Sequence, residues 1–225
     1  MEEDKVLIGI DLSTASREVI ELLIEDALEA ALFEEIAKSN INRPEILSLL
    51  LESPDTPEEV RKMVSEAMHA PVKATTGTVK ARKPPEVRTQ SILQKIQKLS
   101  VSERIHLALR GGKEIRSILF RDPNKEVVLT VLQNPKITDT EIELISRSRS
   151  IPDEALRKIT KKREWMKNYG IIMGLVTNPK TPAGVAVTLV SQLKTRDLAI
   201  LEKDKNIIEG VRMTAKKILR ARKSQ

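Results

Sequence analysis

Proline, glycine, asparagine or serine interrupts this sequence every few helical turns, and most of the pieces between carry an apolar stripe at helical spacing. Helices so short are marginal in water, so each must be stabilised by stacking on its neighbours. A sheet is disfavoured on the same reading. Only 8 glycines occur in 225 residues, and the hairpin dipeptides Asn-Gly and Asp-Gly are missing. Phe33, Phe120, Trp165 and Tyr169 are the whole aromatic complement, which leaves an aliphatic core of Leu, Ile, Val, Ala and Met. The expected fold class is all-α.

Along the chain, apolar Val19, Ile20, Leu23, Ala27, Ala30 and Ala31 predict one amphipathic helix from about Ser16 to Lys38. Asn40 and Pro44 break it. A short helix over Glu45 to Glu52 follows, and Ser53-Pro54-Asp55-Thr56-Pro57 leads into another ending near Met68. Residues Ala70 to Arg88 lose all periodicity and read as a linker, with a coil reach of roughly 20–25 Å. Beyond it, helices are expected over 86–99, 102–110, 112–121, 124–133, 138–147, 152–162, 165–177, 182–193, 195–203 and 206–222. The predicted organisation is an acidic helical region over 1–70, a linker over 71–88 and a basic helical-repeat domain over 89–225.

Three stretches share one grammar: an apolar helix end, Ser/Asn-Pro, a short turn and a new helix. They are Leu49 to Val60, Val131 to Ile142 and Leu175 to Val185. In this reading the Asn takes a left-handed conformation, the Pro forbids continuation, and Thr or Asp caps the next helix. Asn134 and Asn178 stand 44 positions apart, within the ~40–47 residue range of HEAT and armadillo units. Ile118-Leu119-Phe120-Arg121-Asp122-Pro123-Asn124-Lys125-Glu126-Val127-Val128 resembles the HEAT-like pattern of two leucines, Asp-Pro and a Val-Arg step, with Val128 in place of the Arg; Val60-Arg61 preserves that pair. The resemblance implies a HEAT-like or armadillo-like right-handed α-α solenoid that binds a protein partner along an extended surface.

Charge is unevenly spread. Residues 1–70 hold 6 Lys/Arg against 17 Asp/Glu, and residues 71–225 hold 33 against 15, giving nets of −11 and +18. Such opposite potentials suggest an anionic partner for the basic part, with the acidic part competing for it. Absence of cysteine excludes disulfides and thiolate chemistry and fits the cytoplasm. The acidic start is unlike a secretory signal, and the apolar runs Val6 to Ile10 and Gly170 to Val176 are too short to span a membrane.

No catalytic constellation is expected. His69 and His106 are isolated, so no metal or general base is assigned. Ile8 to Thr14 is similar to the phosphate-binding strand of actin-like ATPases, but Ser13 stands where the turn needs glycine. Gly111-Gly112-Lys113 is P-loop-like, yet Leu107 and Glu114 occupy the first-glycine and metal-binding positions, so it reads as a helix break. No cofactor, metal or small-molecule substrate is predicted. The candidate contact residues are basic: Arg157, Lys158, Lys161 and Lys162 on one helix, extended by Arg163 and Lys167, and Arg212, Lys216, Arg220 and Lys223 beside apolar Ile208, Val211, Ala215 and Ile218 on the last helix. Trp165 and Tyr169, one turn apart, are either base-stacking or core residues. A non-enzymatic protein-binding scaffold is the expected function. Nucleic-acid binding by the basic part is the alternative.

Overall fold

The computed structural model describes residues 11–27, 29–68 and 85–223. Among these the chain is helical throughout, with no strand. It divides into two compact units, Met1–Ile118 and Leu119–Gln225.

The first unit contains α1 (Arg17–Asp26), α2 (Ala30–Ser39), α3 (Pro44–Glu52), α4 (Glu58–Ala67), α5 (Pro85–Gln97), α6 (Val101–Arg110) and all but the last residue of α7 (Lys113–Leu119). The single helix expected over Ser16 to Lys38 is two. Ala27 and Glu29 are extended, and the two helices share α3 but otherwise serve different neighbours. α1 buries Val19, Ile20, Leu22 and Leu23 and packs on α3, α5 and α6, whereas α2 buries Phe33, Ile36 and Ala37 and packs on α3 and α4. A straight helix could not aim both stripes. Of the expected linker, residues 85–88 open α5, and residues 69–84, with His69, lie outside the described residues.

The units do not follow the charge division. Acidic α1 and α2 pair with basic residues of α5 and α6: Lys95 Nζ lies 2.9 Å from Glu21 and 2.8 Å from Glu25, and Arg110 lies 2.9 Å from Glu35. Burial alone would lower the Lys95 ammonium, but its bonds to Glu25 and Glu21 outweigh that and hold it above its ordinary value. Glu103 joins two helix starts. It completes a capping box with Ser100 on α6, and it accepts from the hydroxyl of Ser16, the N-cap of α1, at 2.6 Å. These bonds hold its carboxyl below the usual range.

The second unit contains α8 (Lys125–Val131), α9 (Asp139–Arg147), α10 (Asp153–Lys161), a 3-10 turn (Trp165–Lys167), α11 (Tyr169–Thr177), α12 (Ala183–Val190), α13 (Thr195–Leu201) and α14 (Glu209–Lys223). Alternate helices pack together in α8 on α10, α9 on α11 and α12 on α14, and consecutive helices in α9 on α10, α11 on α12 and α13 on α14. α11 meets α9 through Gly170 and Gly174, where a Cβ on Gly174 would lie 2.0 Å from Ser146 Oγ. The helix expected over 165–177 is broken at Asn168, whose side chain caps α11 by accepting from the N–H groups of Gly170 and Ile171.

The three grammatically equivalent stretches fold alike. Thr56 N–H donates to Ser53 O, Ile137 to Asn134 O and Thr181 to Asn178 O, closing a four-residue turn with proline second. Asn178 is extended (φ −80°, ψ 120°), not left-handed. Its Oδ1 accepts from Lys180 N–H, as Asn134 Oδ1 does from Lys136, so the side chain organises the turn and no positive φ is needed. Thr138 caps α9 with a full capping box, but Pro57 and Pro182 occupy the N-cap position of α4 and α12. Thr56 and Thr181 are instead buried immediately before the cap, as are Ala15, Leu99, Ile151 and Leu193 at the equivalent point of other turns. Asn134 and Asn178 are separated by three helices, so their 44-residue spacing is not one helix pair.

Helix ends are closed by side chains from later helices. Arg61 of α4 donates to the carbonyls of Leu51 and Ser53, at 2.9 and 2.8 Å. Asn178 Nδ2 donates to those of Ser146 and Ser148, at 2.8 and 2.9 Å. Arg222 of α14 reaches Leu193 O, Ser191 O and Thr195 Oγ1. A cation or amide donor at a helix C-terminus satisfies carbonyls that the helix itself leaves open and complements the dipole.

Candidate partner-binding surface

The basic residues singled out in the sequence are used unequally. On α10, Lys158 Nζ donates to Leu129 O at 3.3 Å, and Lys162, just beyond the helix, donates to Leu132 O at 3.4 Å. Both therefore close the end of α8. Burial, and then the charge of Lys162, push the Lys158 ammonium below its ordinary value. Lys162 also lies over the Trp165 ring, 4.2 Å from its centre. The indole is only 5 % exposed, so it is a core side chain covered by a cation.

Tyr169 is similarly engaged. Its hydroxyl donates to Asp197 and accepts from Lys194 N–H at 3.1 Å, while the Lys194 ammonium lies 4.9 Å from the ring centre. Burial and the bond to Asp197 raise the phenol above its ordinary value. The two aromatics are thus brought near α10 and α13 respectively and form no shared stacking platform.

Arg157 pairs with Asp153 at 3.6 Å, and Arg212 pairs with Glu209. On α14 the buried residues are Val211, Ala215 and Leu219; Ile218 and, just before the helix, Ile208 are half-buried. Arg212 and Lys216 flank that stripe one position on, while Arg220 and Lys223 are exposed. The α10 and α14 cations are two groups. α12 stands between them, with Gly210 of α14 against its Val187 and the residues following α10 on its other side.

That other side is an open groove of about 490 Å³. Thr160, Arg163 and Met166 form one wall, and Val185, Thr188 and Leu189 of α12 form the other. Arg163 is exposed, as are Lys161, Glu164 and Lys167 of the same segment. From Thr181 to Leu193 the chain has no charged residue, in a sequence that is 32 % charged. Among the described residues no group of His, Cys, Asp or Glu is arranged to hold a metal ion, and no helix is long and apolar enough to cross a membrane.

Two residues of consequence are absent from the sequence-based candidates. One is Arg222, hidden among five other cations of the final helix. The other is Asp26, only 4 % exposed, which accepts from Ile115 N–H at 3.4 Å and so caps α7 from another helix. Gly112, just before α7, has no side chain with which to cap, and a Cβ there would lie 2.7 Å from the Asp26 carboxylate. An acid in the last turn of a helix opposes the dipole, which is the signal that marks Asp26 out. The P-loop-like Gly111-Gly112-Lys113 is thus a helix start already occupied by an internal anion. Comparison with protein families, curated proteins and solved structures finds no match.

Proposed function

We propose that this chain is a non-catalytic helical-repeat scaffold, a HEAT-like right-handed solenoid of short helices that binds a protein partner in the cytoplasm. Its repeat step is a helix pair. The observation that carries the reading is the packing of alternate helices, α8 on α10, α9 on α11 and α12 on α14, through turns of one construction. Units that contact only neighbours offer a row of uncommitted helix faces, on which recognition is distributed. The groove beside α12 favours protein over nucleic acid, because its walls carry a single charge and no aromatic face.

The test is affinity capture of the full chain from its native cell with and without nuclease. Reproducible, nuclease-resistant recovery of a protein is the expected result, and recovery of nucleic acid alone overturns the reading. One observation favours the second reading, polyanion binding: residues 119–225 hold 22 Lys/Arg against 12 Asp/Glu, net +10. A mobility-shift titration on generic DNA and RNA tests it, since a phosphate-driven complex weakens steeply as salt rises.

A further inference from the structure

We propose that the groove between α12 and the segment following α10 binds an acidic, apolar-anchored segment of a partner protein, with Arg163 taking a carboxylate and Met166, Val185 and Leu189 taking an apolar side chain. This rests on the scaffold reading and gives it a site and a partner chemistry.

Three observations converge on it. The first is electrostatic: the one charge among the groove-lining residues is Arg163, which has no acidic partner among the described residues. A guanidinium offers a fork of donors that matches a carboxylate two bonds at a time, so an acidic residue is the complement of this wall.

The second is the character of the other wall. α12 presents Val185 and Leu189 with Thr188 between them, and no charged residue lies from Thr181 to Leu193. Met166 faces them with an unbranched, polarizable side chain that adjusts to varied apolar anchors. A polyanion is poorly served here, since phosphates ask for several cations and bases for an exposed ring, whereas Trp165 beside the groove is buried beneath Lys162.

The third is Gly184. A Cβ built on it meets nothing within 4 Å, so no contact of the fold requires glycine there. Glycine in a helix is otherwise unfavourable, and a bare backbone at a groove allows another chain to approach closely.

Fluorescence anisotropy with the full chain tests the proposal. The probe is a short labelled peptide with glutamate and leucine one helical turn apart; the comparison probes replace glutamate by glutamine or lysine, and a single-stranded DNA oligonucleotide serves as polyanion. The glutamate peptide should bind about tenfold or more tighter than the glutamine peptide, the worth of a charge-assisted bidentate pair. Arg163→Glu should lose that preference and bind the lysine peptide instead. Gly184→Phe should fill the groove and weaken binding by a similar factor, and Gly184→Ala, whose single methyl intrudes less on the partner's approach, should weaken it by a smaller one. Circular dichroism and melting show that each variant is folded, and the charge-reversed pair reports on Arg163 whatever Gly184→Phe does to stability.

No binding of the glutamate peptide to the wild-type chain overturns the proposal. So does equal binding by wild type and Arg163→Glu, or oligonucleotide binding that Arg163→Glu abolishes without any peptide binding. Self-association that is lost in Gly184→Phe also overturns it, the occupant then being a second copy. The scaffold reading fails separately: a nuclease-resistant partner retained by both variants removes the groove and leaves the scaffold, whereas no protein partner at all removes the scaffold.

Discussion

Replacing Asp26 by asparagine should stabilise the first unit at neutral pH and remove a component of its pH dependence. The carboxyl is buried at the end of α1, beside the start of α7. Burial raises it from 3.8 to about 6, aided by the nearby Glu114 carboxylate and opposed by the N–H groups of Ile115 and Gly112 and by Arg88. The folded chain therefore holds a proton between about pH 4 and pH 6 that the unfolded chain has released. Stability from this group is fully present below the unfolded value, falls as pH rises, and is gone above the folded value. A shift of about two units corresponds to about 3 kcal/mol. Asparagine keeps an oxygen for Ile115 N–H and cannot ionise, so the variant should gain about 2–3 kcal/mol over wild type at pH 7.5 and differ little at pH 4. Urea unfolding of both proteins at several pH values, with amide exchange in α1 and α7, measures the difference. Taking the difference cancels other titrations, including that of Glu103, whose opposite shift adds stability at higher pH. A pH-independent difference, or a variant less stable at pH 7.5, would show that the anion's attraction to the helix start and Arg88 outweighs its burial.

Gly174→Ala should destabilise the second unit by about 1–3 kcal/mol despite alanine's better helix propensity, because the new Cβ would press on Ser146; thermal unfolding reads it. Asn178→Ala removes the donors to Ser146 O and Ser148 O and should cost about 2–3 kcal/mol by the same assay. Thr181→Val should raise stability by about 1 kcal/mol, since the buried Thr181 hydroxyl has no partner among the described residues; a loss would reveal one. Arg222→Ala should cost about 1 kcal/mol and increase amide exchange in the loop from Ser191 to Thr195, and Arg222→Lys should recover only part of it.

Much of the helical order is legible in the sequence, because Asn134-Pro135, Asn178-Pro179 and the Ser100 and Thr138 capping boxes act within a few residues of where they are read. What is not legible is mostly long-range. Asp26 finds its partner on α7, nearly ninety positions away, while the apolar spacing around it reads as a helix that continues through Ala27. For the surface, the sequence gathers cations by helical spacing but cannot tell a free ammonium from one turned back onto a carbonyl. Lys158, Lys162 and Arg222 look like Lys161 and Arg163 until the neighbouring helix ends are known. The α12 groove is foreshadowed only by its missing charges.

The bonds that close the helix ends of the second unit have a nearly constant reach along the chain. Lys158 to Leu129 spans 29 positions, Lys162 to Leu132 spans 30, Asn178 to Ser146 spans 32 and Arg222 to Ser191 spans 31. A nascent chain emerging from the ribosome therefore needs only about thirty further residues before the ends of α8, α9 and α12 meet the donors that seal them. Closure entropy for loops of that size is modest and nearly the same at every step, so ordering can advance in register with synthesis. Vectorial growth of this kind predicts that a pause or truncation leaves just the last helix pair frayed, with the pairs before it already sealed.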